Sequence, residues 1–305
     1  MARRAAAVIG VGLITCLATS TALATSTAFA TSTAFAPSTA APAARQSGDL
    51  LALSRGSASC HLLLNSGAHV TAWAVAVNGT SANALCVNSG ANLAAHDITV
   101  EGGVLRHGGT VSAGTQLQQP AARDWMAGLR PPTARAAACP GAACPDGTST
   151  GGRRMYRLLP GTYQQSVDVD SKARVCLAPG SYVLRASWTI DAPLRPYGSA
   201  GCPALPSRTS DAGVLLYFAR GHIELNSGGS LTLLRAMHSG RYLGVLYWQA
   251  DMDATALNGA GSAGGGWYEP RGALILNSRA SLTASFLVAA TIVVNSGARL
   301  TVSRR

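Results

Sequence analysis

The sequence predicts an all-β chain wound as a right-handed parallel β-helix, a solenoid with irregular loop excursions. Three observations predict it. A short corner unit recurs along the chain. Apolar and polar residues alternate on both sides of that corner. Neighbouring corners stand too close together for a helix to fit between them.

The corner is clearest at Asn65-Ser66-Gly67-Ala68, Asn88-Ser89-Gly90-Ala91 and Asn295-Ser296-Gly297-Ala298. It returns as Asn226-Ser227-Gly228-Gly229 and Asn277-Ser278-Arg279-Ala280, with weaker copies at Arg106-His107-Gly108-Gly109 and Asp170-Ser171-Lys172-Ala173. Counting from the Asn or its stand-in, positions −3 and −1 are apolar in almost every copy, as in Leu62 and Leu64, Leu85 and Val87, or Ile292 and Val294; the Arg106 copy supplies Gly103 and Leu105. Positions +5 and +7 are apolar too, as in Val70 and Ala72, Val111 and Ala113, Leu231 and Leu233, or Leu300 and Val302. Period two before and after a turn is strand–turn–strand. Asn and Gly tolerate the left-handed backbone of a sharp corner, and the Ala or Gly at +3 fits where the chain bends inward.

Asn277 and Asn295 lie 18 residues apart, and Asn65 and Asn88 lie 23 apart. A βαβ crossover needs more chain than that. One solenoid coil fits, stacked at ~4.8 Å on the next. With 48% hydrophobic and 12% charged residues, the composition supplies ample core for such a stack.

In chain order, residues 1–36 read as an export signal. Arg3 and Arg4 precede an apolar run, and Ala22-Leu23-Ala24, Ala28-Phe29-Ala30 and Ala34-Phe35-Ala36 each offer a cleavage site. An uncleaved anchor and a poor lipoprotein box ending at Cys16 are the rival readings. Residues 37–48 are a linker, and 49–305 are read as a single β-helix domain. Excursions are expected at about 117–154, 191–211 and 249–268. The first is Pro-rich, with a short helix expected near Asp124-Trp125-Met126, and the last is a Gly-rich loop over 251–266. Strands are expected at Val214–Phe218, Ile223–Leu225, Leu231–Leu234 and Leu243–Trp248. Leu159-Pro160-Gly161-Thr162-Tyr163 is echoed by Ala178-Pro179-Gly180-Ser181-Tyr182.

Six cysteines follow the signal: Cys60, Cys86, Cys139, Cys144, Cys176 and Cys202. An even count in an exported chain reads as disulfides. Sequential pairing is the simplest of the possible connectivities. Without the signal, the net charge falls from +11 to +9 with the loss of Arg3 and Arg4. A basic exported protein is suited to anionic cell-wall polymers or other surface proteins. No basic run with interleaved aromatics indicates nucleic acid. A membrane partner follows only from an uncleaved or lipidated N-terminus.

The order of Cys60, the Asn-Ser-Gly coils, Leu159–Tyr163, Gly244-Val245-Leu246-Tyr247-Trp248-Gln249 and Gly272-Ala273-Leu274-Ile275-Leu276-Asn277-Ser278 resembles the C-terminal β-solenoid region of TadG-type proteins of tight-adherence pilus assembly. The resemblance covers about residues 60–303. It implies a parallel β-helix on an exported, surface-associated protein and carries no catalytic residues over.

The acidic residues offer one candidate catalytic set. Asp168 and Asp170 alternate with inward Val167 and Val169, about 6.6 Å apart along a strand, and Glu224 holds the position of Asp168 on another coil. That spacing suits the paired carboxylates of a glycosidase; a solvated polar face is the plainer reading. Asp251-Met252-Asp253 with Asn258-Gly259 lacks the ligands of a calcium loop. Gly147-Thr148-Ser149-Thr150-Gly151 lacks the strand–turn–helix setting of a hydrolase elbow. Neither a metal nor a cofactor is expected. Trp188, Trp248, Trp267 and Tyr268 are candidates to stack on sugars or to cover the sides of the solenoid. Thr71, Thr232, Thr283 and Thr301 share position +6, but Ala94, Ser112 and Cys176 break that column, which weakens an ice-binding reading. The expected function is non-catalytic display, adhesion or pilus association at the cell surface. A polysaccharide lyase or hydrolase and a wall-polymer-binding module are the alternatives.

Overall fold

The computed structural model describes residues 49–134, 145–146, 154–204 and 213–303. The expected export signal and linker, with Cys139 and Cys144, lie outside them. Two arrays of strands build the solenoid. The first holds β1 (Asp49–Ala52), β2 (Leu62–Leu64), β3 (His69–Val77), β4 (Leu85–Val87), β5 (Asn92–Val100), β6 (Val104–Arg106) and β7 (Thr110–Leu117). The second opens with β8 (Pro145–Asp146), β9 (Met155–Leu158), β10 (Gly161–Tyr163), β11 (Val167–Val169), β12 (Arg174–Leu177), β13 (Gly180–Leu184), β14 (Trp188–Ile190) and β15 (Leu194–Pro196). It continues through β16 (Val214–Phe218), β17 (Ile223–Leu225), β18 (Val245–Gln249), β19 (Ala254–Leu257), β20 (Ser262–Leu276), β21 (Ser281–Val294) and β22 (Arg299–Val302). All these pairings are parallel except β8 on β9.

The strands form three faces. Face A stacks β10, β13, β16, β18, β20, β21, β1, β3, β5 and β7. Face B stacks β11, β14, β17, β19, β20, β21, β2, β4 and β6. Face C runs from β9 through β12 and β15, across bridges Pro193–Ser230 and Ser230–Ser262, to β20, β21, β22, β3, β5 and β7. Stack order is therefore not chain order. The first array grows from the middle of the stack to one end, and the second grows from the other end back to the middle. There β22 lies on β3 and β21 lies on β1 and β2.

The inward positions explain why these residues fold so. Leu62, Leu64, Leu85, Val87, Leu93, Leu274, Leu276, Leu282, Ile292, Val294 and Leu300 are all buried, each on the expected parity. Burying such a side chain contributes roughly 1.5–3 kcal/mol, and one coil alone could not shelter it. At the corners the asparagines stack into an amide ladder. Each Nδ2 donates to the Oδ1 of the next: Asn88 to Asn65 (2.6 Å), Asn65 to Asn295 (2.8 Å), Asn295 to Asn277 (2.7 Å), Asn277 to Asn258 (2.9 Å) and Asn258 to Asn226 (3.0 Å). Gly67, Gly90 and Gly297 take the left-handed backbone at φ 73°, 65° and 72°. The column continues as Asp191 and Asp170. Asp191 Oδ1 is buried without a hydrogen-bond partner.

The structure corrects several local expectations. The corner after β6 is one residue shorter than its neighbours, so Leu85 and Val87 pair with Val104 and Arg106, not with Gly103 and Leu105. Leu231–Leu234 is a turn: Leu231 and Leu234 are buried, and Leu233 is exposed. The expected Gly-rich loop over 251–266 holds β19 and the start of β20, and Asn258-Gly259-Ala260-Gly261 is a further corner of the ladder. Within 191–211, Leu194–Pro196 is strand β15, and 205–212 lie outside the described residues. Asp124–Met126 opens a turn rather than a helix, with Ala127 N–H donating to Asp124 O and Leu129 N–H to Met126 O. The two Pro-Gly-x-Tyr echoes are corners closed by their own tyrosines. Tyr163 OH donates to Leu159 O and Tyr182 OH to Ala178 O, both at 2.7 Å.

The described part of the first excursion is a strap across the outside of face A. Asn78 fixes its start, donating to Ala122 O and accepting from Ala122 N–H, both at 2.8 Å. Tyr268 OH donates to Asp124 Oδ2 at 2.8 Å. Tyr242 OH donates to Arg130 O at 2.9 Å, and Thr162 Oγ1 to Ala134 O at 3.0 Å. The strap thus crosses eight strands, roughly 34 Å of stack, which its twelve residues can span when extended. Beneath it Leu51, Val183, Tyr217, Trp248, Tyr268 and Val288 form a second apolar cluster with Met126 of the strap. That burial removes Trp248 and Tyr268 from solvent, while Trp188 and Trp267 lie inside the solenoid.

Candidate functional site

The sequence singled out Asp168, Asp170 and Glu224. The structure places Asp168 and Glu224 in one outward row of face B, with Thr189 between them. Two strand spacings, about 9.6 Å, separate their backbones. Glu224 Oε1 accepts from Asn258 Nδ2 at 2.9 Å, so this carboxylate buttresses the amide ladder. Asp170 follows β11 and sits in the corner, where its Oδ1 accepts from Lys172 N–H at 2.8 Å. The three carboxylates do not close on a common cavity.

A second set meets at the corner between faces A and B. Ser187 Oγ lies 3.3 Å from His222 Nδ1, and Asp253 Oδ2 lies 3.6 Å from the same nitrogen. A nucleophilic relay needs the acid on one ring nitrogen and the hydroxyl on the other. Here both crowd Nδ1. The backbone explains the arrangement, because His222 N–H donates to Ser187 Oγ and Gly221 N–H to Asp251 Oδ2. Among the described residues, no group of three His, Cys, Asp or Glu side chains is placed to hold a metal ion.

Just inside that corner lies a sealed polar network. Tyr247 OH donates to Gln249 Oε1 at 2.6 Å and lies 2.7 Å from Thr255 Oγ1. Trp267 Nε1–H donates to Glu269 Oε1 at 2.9 Å, and Glu269 Oε2 has no partner. Burial pushes the Glu269 carboxyl up to about 8, against weaker opposing hydrogen bonds from Thr255 and Trp267. The residue is fully enclosed and cannot meet a substrate.

The cations converge where the carboxylates do not. At the β9 end of face C, β12 points Arg174 and Cys176 outward, alternating with buried Val175 and Leu177. Cys176 is bonded to Cys202, and this bridge holds the 197–203 loop against the face. Arg174 Nη1–H donates to Gly201 O at 3.2 Å. A Cβ on Gly201 would fall 2.4 Å from that nitrogen, so glycine lets the guanidinium lie there. Arg195 comes from β15, Lys172 from the corner and Arg154 from the approach to β9. A cavity of about 120 Å³ is lined by Ser171, Lys172, Ala173, Arg174, Pro193 and Arg195. A shallower hollow of about 400 Å³ adjoins it at Ser171 and Lys172 and adds Arg154 and Asp170. Four cations thus face one acid. Guanidinium forks and an ammonium at such spacing favour carboxylate or phosphate oxygens.

Sequence reasoning noted Lys172 but missed the cluster. Its signal is that Arg154, Arg174 and Arg195 recur at about one coil's spacing, which brings them to neighbouring coils within two residues of strict register, Arg174 beside Met155 and Arg195 beside Cys176. The second expected bridge, Cys60–Cys86, is also present and ties β4 to the approach to β2. The Cys139–Cys144 expectation lies outside the described residues. Comparison of the chain with protein-family models, curated proteins and solved structures finds no match.

Proposed function

We propose that this chain is a non-catalytic solenoid that works outside the cell, at its surface, by display and adhesion, holding anionic wall polymers in the cation-lined notch. The notch of Arg154, Lys172, Arg174 and Arg195 is the observation that carries this reading. Two disulfides are consistent with an oxidising, extracellular setting. Asp168, Asp170 and Glu224 do not close on a common cavity, and Ser187 and Asp253 both crowd Nδ1 of His222, whereas catalysis on a solenoid needs its groups gathered in one cleft with each in a productive geometry. A place in pilus assembly is a narrower form of the same proposal, supported by the resemblance of residues 60–303 to TadG-type solenoids.

The test is co-sedimentation of the purified mature protein with isolated wall fractions over a salt series. Binding should weaken with salt and fall at least severalfold in Lys172→Ala/Arg195→Ala, with an unchanged melting curve. Equal binding by that variant sinks the notch. Turnover of pectin or alginate that Asp168→Asn/Glu224→Gln abolishes replaces this reading with the enzyme.

A further inference from the structure

We infer that the notch is the anchoring end of a longer track, and that its ligand is a linear polysaccharide carrying an anion in each repeat, laid along face C parallel to the stack. This rests on the notch reading above and specifies its ligand. The single-residue bridges Pro193–Ser230 and Ser230–Ser262 link face C from the start of β15 to β20. Beyond them two outward rows continue in register. One row runs Ser262, Ser281, Arg299. The other runs Thr283, Thr301, Thr71. Their side chains alternate with buried Ala263, Leu282, Leu300 and Val70, so the strand pleat directs them outward.

Each hydroxyl can both donate and accept, which matches the hydroxyls of a sugar chain. Along the axis they recur every ~4.8 Å, and the two rows stand about 6.6 Å apart. The six positions include no acid and one further cation, the exposed Arg299. It lies four strand spacings from Pro193, roughly 19 Å, out of reach of a disaccharide seated in the notch. Charge complementarity therefore runs along the face: a cluster at one end, then neutral hydroxyls, then Arg299. A polymer with repeated anions can meet both cationic points, and a short fragment cannot.

Two polymer chemistries share this pattern, uronate glycans and phosphodiester-linked glycans, and the probes separate them. Oligogalacturonate dimers, tetramers and dodecamers form one arm, and poly(N-acetylglucosamine 1-phosphate) of matched lengths forms the other. Binding of each to the mature protein is measured by calorimetry with wild type, Lys172→Ala/Arg195→Ala, Arg299→Ala and Thr301→Val. In the arm that binds, dodecamers should bind at least about tenfold tighter than dimers, since linked contacts add avidity. Arg299→Ala should weaken the dodecamer about threefold and leave the dimer unchanged. The notch variant should lose both lengths. If dimers and dodecamers bind alike, or Arg299→Ala has no effect while the notch variant still loses binding, the track is refuted and the notch stands. If the notch variant binds normally, both readings fail. Single-stranded DNA of equal length binding as tightly as the better glycan also overturns the track, because it would show indifference to the sugar. Matching melting curves confirm that each variant is folded.

Discussion

Exchanging Glu269 for Gln should abolish the fall in stability that this residue imposes on the solenoid as the pH rises. The wild-type carboxyl is sealed inside the stack and held near 8, against 4.5 for an unperturbed glutamate. At or below pH 4.5 both folded and unfolded chains carry the proton, and the group does not penalise folding. As the pH climbs from 4.5 towards 8, the unfolded chain releases its proton while the folded chain keeps it. Stability should then fall by up to ~1.4 kcal/mol per pH unit, or on the order of 5 kcal/mol across the window, and level off above it. Glu269→Gln removes that slope. It also places an amide where Oε2 now lies without a partner, costing about 1–3 kcal/mol at every pH. The two stability curves should therefore cross, with the variant weaker in acid and stronger in alkali. Urea unfolding of both proteins at a series of pH values measures this directly. Parallel curves, or a wild-type stability that rises through the window, would refute the reasoning.

Three further outcomes follow from the packing. Leu282 faces the core and Thr283 faces solvent, so Leu282→Asp should unfold the coil at a cost of several kcal/mol, whereas Thr283→Asp should stay within about half a kcal/mol in thermal melts. Asp191→Asn gives the amide ladder a donor and acceptor where Asp191 Oδ1 now has no partner, and should raise stability by about 1 kcal/mol by denaturant titration. Met126 is the buried knob of the strap; Met126→Ala should cost about 2–5 kcal/mol and speed proteolysis between residues 118 and 134, with a mass-mapped cut site as the readout.

The coil was legible in the sequence, and the stack was not. Leu62, Leu64, Val70 and their counterparts sit inward because period two leaves no other choice once one face is buried. The same logic failed at Arg106, where a shortened corner shifted the parity by one residue. Asn258, weighed only as part of a calcium loop, is not legible as a corner because Thr255 stands where the other asparagine copies carry an apolar residue at −3. The order of coils could not be read at all. Six corners offer the same amide, from Asn65, Asn88, Asn226, Asn258, Asn277 and Asn295, so nothing in Asn65 says that its acceptor is Asn295 and not a nearer copy. The notch was hidden for a related reason: Arg154, Arg174 and Arg195 become neighbours only when three coils are stacked in register. Asp168 and Glu224 do share a row, as the repeat implied, but no cavity gathers them.

The meeting of β22 and β1 has a topological consequence. On one coil, β22 supplies face C, β1 supplies face A and β2 supplies face B, so residues 303 and 49 stand where a continuous chain would pass from one to the other. Read from 154 to 303 and then from 49 to 117, the coils climb the stack in unbroken order. The molecule is thus a circular permutant of a plain solenoid, with its opening moved to the waist and the strap serving as the return wire between the tips. A plain solenoid frays from its ends, which are its first and last coils. This one has its first and last coils in the middle, so trimming back from residue 303 cuts the stack in two.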